Sequence, residues 1–144
     1  MTTLTNILKK VLSDTFLMYF KAHSYHWNIE GIDFITLHEF FGEIYQDLWE
    51  ATDIIAESIR TLDEYCPTTL VKILDNSEII ESENIPSSVK MIVELEKDNN
   101  KILETLKVAL DLAQEQGKEG IVDVLSSRIR VHDKFGWMLR SLVR

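Results

Sequence analysis

Four residues carry the chemistry this sequence could do: His26, His38, Asp53 and Glu57. Imidazole nitrogen and carboxylate oxygen together suit iron, manganese or zinc. Asp53 and Glu57 are spaced one helical turn apart, so on a helix both carboxylates point the same way. His38 lies fifteen residues before Asp53, within one helical rhythm marked by Phe34, Leu37, Phe41, Tyr45, Leu48, Ile55 and Ile59. At about 1.5 Å per residue that is roughly 22 Å, and an ion held at about 2.0–2.2 Å by each ligand cannot bridge it. If His38 and the two carboxylates serve one metal, they come from two chains. Two such helices packed antiparallel about a twofold axis near Tyr45–Asp47 set His38 of one against the carboxylates of the other. The expectation is a homodimer with two interface sites.

The other chemistry-bearing residues have plainer readings. Trp27 and Trp49 are expected as large packing groups. His23 lies one turn before His26 and reads either as a group supporting that histidine or, in preference, as a surface or interface group, and His132 as structural. Glu119 and Asp123, at the start of the last helix, favour its dipole. Cys66 sits in a connector with no histidine beside it and reads as a free thiol. His38-Glu39 begins like a His-Glu-x-x-His zinc motif, but position 42 is glycine, so that reading fails. The Glu-x-x-His pattern that builds a di-iron core within one bundle is absent.

Long helices must position these groups. Only five glycines and two prolines interrupt 144 residues, 45% of them apolar, which predicts one all-α domain over 1–144 with a real core. A first helix is expected over 4 to about 26, on a face of Leu4, Leu8, Val11, Thr15, Tyr19, Ala22 and His26. A turn at Asn28–Asp33 follows, where Gly31 can take a positive φ. The second helix is expected from Asp33 to Leu62, with Cys66–Pro67 barring continuation. Residues 63–86 form a long crossover holding a short helix, Leu70–Leu74, capped by Thr68 or Thr69. A connection of that length lets the second and third long helices run parallel. The third starts at a Ser87 or Ser88 cap, has the seam Ile92, Leu95, Asn99, Ile102, Leu106, Ala109 and Ala113, and ends at Gly117. The fourth runs from about Gly120 to Leu142, and its late basic residues, Arg128 to Arg144, suit the helix C-terminus.

Composition narrows the partners. A net charge of −9 repels a nucleic-acid backbone and attracts cations. One cysteine rules out an internal disulfide framework and fits a reducing, cytoplasmic setting. Lys9, Lys10 and Asp14 break any leader-like run, and no apolar stretch is long enough to span a membrane.

The segment His26-Trp27-Asn28-Ile29-Glu30-Gly31, then Phe34, Leu37-His38-Glu39, Tyr45, Asp53 and Ala56-Glu57, resembles the ferroxidase signature of the Dps mini-ferritins, the DNA-binding proteins from starved cells. Asp133-Lys134 through Trp137-Met138-Leu139-Arg140 is similar to that family's terminal helix, so the resemblance spans the whole chain. It implies a ferritin-like four-helix bundle assembling from dimers into a hollow dodecamer. It implies Fe²⁺ oxidation, usually with hydrogen peroxide, and storage of ferric mineral inside. His26 and His38 would come from one subunit and Asp53 and Glu57 from its mate, with Trp27 carrying oxidising equivalents close by. Glu119 and Asp123 match acidic positions of the family's threefold iron-uptake pores.

Two departures qualify the resemblance. The family's acidic ligand four residues after the second histidine is Gly42 here, which points to single-metal occupancy, to zinc at the same site, or to a non-catalytic shell whose oxidase centre has decayed. Only Met1-Thr2-Thr3 precedes the first helix, in place of the Lys-rich arm of DNA-binding members, so DNA binding is expected to be weak or absent.

Overall fold

The computed structural model describes residues 2–144; Met1, the first of the three residues ahead of the first helix, lies outside them. Five helices follow one another: α1 (Leu4–Asn28), α2 (Phe34–Arg60), α3 (Leu70–Asn76), α4 (Ser88–Glu115) and α5 (Glu119–Leu142). The expected architecture, four long helices with a short one in the crossover, is what the chain adopts.

The helix ends have local causes. The side chains of Thr3, Thr69 and Ser87 accept from backbone N–H groups three residues on, capping α1, α3 and α4. Gly117 has φ +64°, and Gly117 N–H and Lys118 N–H donate to the Gln114 and Ala113 carbonyls, closing α4 with both bonds of a Schellman turn. Two expected boundaries shift. Helix α1 continues to Asn28 instead of ending near His26, and Gly31 takes its positive φ, +113°, inside the following turn. Helix α2 ends at Arg60, two residues before the expected Leu62. Asp63, in the left-handed region at φ 62°, reverses the chain there, a conformation that aspartate tolerates better than most residues.

Contacts between named residues fix the directions. Position 26 of α1 meets 38 of α2, and 19 meets 45 and 49, so α1 and α2 are antiparallel. Lys21 of α1 meets Glu94 and Asp98 of α4, while Lys10 and Lys101 both reach Glu78, so α1 and α4 are antiparallel too. Helices α2 and α4 therefore run parallel, and the 61–87 crossover spans the bundle as its length required.

The core draws on all four long helices, with Phe41, Leu8, Leu48, Leu95, Leu106 and Leu125 among its fully buried side chains. Polar anchors hold the crossover on the bundle. The buried Asp14 accepts from Ser77 Oγ at 2.6 Å and Glu78 N–H at 2.9 Å. Lys21 donates to the Ile80 carbonyl at 2.9 Å and pairs with Asp98 at 2.8 Å, both charges almost wholly buried.

Candidate metal centre

The short turn between α1 and α2 decides the site's first half. Ile29 N–H donates to Tyr25 O and ends α1, Phe34 N–H donates to Gly31 O and starts α2, and the two helices fold back on each other. His26, in the last turn of α1, and His38, in the second turn of α2, stack with ring centres 3.7 Å apart and planes 15° from parallel. Each ring is held by the other residue's backbone: His26 Nδ1 lies 2.5 Å from the His38 carbonyl oxygen and His38 Nδ1 lies 2.7 Å from the His26 carbonyl oxygen. A carbonyl only accepts, so both Nδ1 atoms carry hydrogen, and in the neutral ring that leaves the lone pair on Nε2. Backbone-oriented imidazole with a free Nε2 is how metal-binding histidines are presented.

The second half lies elsewhere on α2. Asp53 and Glu57 are both exposed on that unbroken helix, fifteen residues and more beyond His38. Among the described residues, no three His, Cys, Asp or Glu side chains stand close enough together to hold an ion. One chain thus brings the two histidines together and the two carboxylates together, and keeps the pairs apart. Glu57 and Glu119 line one open cleft between the end of α2 and the start of α5, beside Ile54, Ser58, Lys118 and Val124. Asp123 is exposed one turn along α5.

Gly42 is buried against the first half. A Cβ built on it stands 3.3 Å from both Cε1 and Nδ1 of His26. Position 42 therefore borders the site, and the His26 ring fills the space that a side chain would claim.

Several expectations change at this point. Trp27 and Trp49 are not packed inside; they are 57% and 55% exposed, and lean on His23 and Tyr19 respectively. His23 is partly buried among aromatic rings. It stacks on Tyr45 at 3.8 Å and 5°, and its Nδ1 is 3.0 Å from Tyr19 Oη. Partial burial, and to a lesser degree the neighbouring His26, lower its pKa. Tyr45 in turn lies 5.1 Å from the His26 ring, so an aromatic run, Trp49–Tyr19–His23–Tyr45, leads to the site. Its sequence signal is the one-turn spacing of Tyr19, His23 and the adjacent stripe, which periodicity alone reads as packing.

Arg128 also departs from its expected role as a helix-end charge. It is buried, forms a bidentate pair with Asp47 at 2.8 and 3.2 Å, and donates to His132 Nε2 at 3.2 Å. His132 is fully buried, and its Nδ1 donates to Asn99 Oδ1 at 2.7 Å. Burial, with the Arg128 charge beside it, pushes its pKa down to about 3, so the ring is neutral. Cys66 donates to the Ala56 carbonyl, and burial pushes its thiol pKa up, as suits an inert thiol.

The fold and sequence have close counterparts. A ferritin-like domain model matches residues 5–144. General stress protein 20U of Bacillus subtilis is 32% identical over 138 residues, covering 96% of this chain and 95% of that one. The DNA protection during starvation protein of Brevibacillus brevis is 30% identical, covering 95% and 92%. The solved Dps protein of Vibrio cholerae O1, a member of a broad superfamily of ferritin-like diiron-carboxylate proteins, superposes with a TM-score of 0.94 at 32% identity, covering 98% of this chain and 89% of that one. This chain belongs to the Dps family. In this Dps protein His26 and His38 are partly buried, while Phe20 and Trp27, paired edge-on at 6.3 Å, are about half exposed. No described helix is long and apolar enough to cross a membrane.

Proposed function

We propose that this Dps protein binds Fe²⁺ as its substrate at two sites per dimer, oxidises it with hydrogen peroxide and stores the ferric product inside a dodecameric shell. Each site joins His26 and His38 of one subunit to the partner subunit's Asp53 and Glu57. The observation that carries this reading is the reciprocal Nδ1–carbonyl bonding of the two histidines, which leaves both Nε2 atoms clear of the backbone. The separation of the carboxylates on the same straight helix then calls for a second chain. His26 and His38 supply nitrogen donors, Asp53 and Glu57 neutralise the charge that iron gains on oxidation, and Trp27, whose ring lies 4.1 Å from His23, passes on oxidising equivalents. Glu119 and Asp123 guide cations inward at the pores, and a net charge of −9 on each subunit favours that traffic and disfavours DNA.

A second reading rests on Gly42. With the family's acidic position empty and the His26 ring against it, the assembly could be a shell that holds Fe²⁺ or Zn²⁺ without turning it over, or that shields DNA. Stopped-flow oxidation of anaerobically loaded Fe²⁺, with peroxide and oxygen added separately, decides between them. Fast, saturable oxidation with peroxide that is lost in His26→Ala and in Glu57→Ala supports the ferroxidase. Bound metal oxidised no faster than free iron supports the binding shell.

A further inference from the structure

We propose that Tyr19, hydrogen-bonded to His23, is the one-electron donor that completes peroxide reduction at the His26–His38 site; this rests on the ferroxidase reading above. The need for a donor follows from a count. With glycine at position 42 in place of a further carboxylate, the proposal takes two imidazoles and two carboxylates as the ligand set of a single ion. One Fe²⁺ becoming Fe³⁺ yields one electron, whereas cleaving the O–O bond of hydrogen peroxide to give two water molecules consumes two electrons and two protons. A second electron from within the protein averts release of hydroxyl radical.

The geometry points to Tyr19. Its Oη is 3.0 Å from His23 Nδ1, which accepts the proton that a phenol sheds on oxidation when the ring carries its own hydrogen on Nε2. The His23 ring is stacked on Tyr45 at 3.8 Å, and the Tyr45 and His26 ring centres are 5.1 Å apart. Tyr19 also lies 6.2 Å from Tyr45, so each step from Tyr19 to His26 is between neighbouring rings. Among the described hydrogen bonds, neither Tyr45 nor Trp27 has a side-chain acceptor for its own proton.

The step balances. Fe²⁺ loses one electron. Tyr19–OH loses one electron to become Tyr19–O•, and its proton passes to His23 Nδ1. Peroxide takes both electrons and two solvent protons, its O–O bond breaks, and two waters leave. The next Fe²⁺ reduces Tyr19–O•, and the proton returns from His23. Two Fe²⁺ are consumed per peroxide although only one is bound at a time.

Two measurements on the full-length assembly test this. In the first, protein grown on ring-deuterated tyrosine, loaded anaerobically with one Fe²⁺ per chain, is freeze-quenched after peroxide addition and read by electron paramagnetic resonance. The expected result is a tyrosyl radical, identified by its narrowing on deuteration, that is lost in Tyr19→Phe. In the second, metal-free protein is oxidised by a flash-generated ruthenium(III) polypyridyl complex. Tyr19 oxidation is expected there too, and is expected to slow in His23→Leu. A tyrosyl signal that survives Tyr19→Phe in either measurement overturns the proposal. So does normal iron oxidation with no tyrosyl signal. Unreacted Fe²⁺ in the first measurement overturns the ferroxidase reading on which the proposal depends, and the flash experiment, which needs no iron, keeps that failure distinct from a failure of the Tyr19–His23 pair.

Discussion

His132 and the His26–His38 pair are histidines of one bundle with opposite fates. His132 is sealed between α4 and α5, and both its ring nitrogens are in use, one donating to Asn99 and one accepting from Arg128. His26 and His38 each use one nitrogen on a backbone carbonyl and keep the other free. Burial with full pairing makes a structural histidine. Half pairing at the rim of the bundle makes a candidate ligand. All three recur on helix faces rich in apolar residues, so the sequence pattern treats them alike.

The sharpest way to break this comparison is to delete one member from each side. His26→Ala removes a donor, and Fe²⁺ oxidation should fall by at least about 100-fold, beyond what losing an orienting group alone costs, while the helical content and assembly stay intact. Stopped-flow absorbance and size-exclusion chromatography check the two halves of that statement. His132→Ala should do the reverse. It leaves Asn99 and Arg128 short of a buried partner and opens a cavity, so stability in urea should drop by about 3 kcal/mol, while the oxidation rate per folded chain is unchanged.

Acid sharpens the same contrast. An unfolded histidine titrates near 6.5. His132, pushed down to about 3 by burial and Arg128, binds fewer protons folded than unfolded between those values. Its contribution to stability is therefore complete above about pH 6.5 and is lost as pH falls toward 3, with a slope of up to about 1.4 kcal/mol per pH unit. Asp14 and Asp98 work against it: burial raises their carboxyl pKa values, so protonation in the range above 3.8 favours the folded chain. The urea midpoint of the wild type should fall between pH 6.5 and 4.5, and His132→Gln should flatten that fall. An equal slope in both proteins would remove His132 as the acid-sensitive group.

The smallest effect is expected at Gly42. In Gly42→Ala the new methyl presses on His26 at 3.3 Å, and the ring must yield by a few tenths of an ångström. The gain in helix propensity, about 1 kcal/mol, roughly offsets the crowding, so stability should change by less than about 1 kcal/mol. Metal affinity, measured by calorimetry, should weaken several-fold. Comparing Gly42→Asp with this control separates the gain of a carboxylate from the cost of its Cβ; Asp outperforming Ala in oxidation favours a decayed centre.

Much of the bundle was legible because helix periodicity and end signals are local. The seam of α4 is buried at every position named from the sequence, from Ile92 to Ala113, and Thr69, Ser87 and Gly117 do what their residue types favour. The end of α2, expected at Leu62, came two residues early at Arg60, because an aspartate taking a left-handed backbone at 63 leaves no local signal. The polar interior was missed for a different reason. Asp47, Asn99, Arg128 and His132 are distant in sequence, and each looks like an ordinary polar residue until three helices bring them together. Asn99 in the apolar seam was the one visible irregularity, and its partner lay 33 residues away.

By itself the sequence determined the helices, their order, and the fact that one straight helix cannot place His38 beside Asp53 and Glu57. These follow from residue type and the fixed rise of the helix. Only the tertiary structure decided which histidine nitrogens are free, that His23 is stacked between the aromatic rings, and that Arg128 is buried in a pair. A hydrogen bond or a ring stack depends on ångström distances between chain segments, and no periodicity along a single segment encodes them.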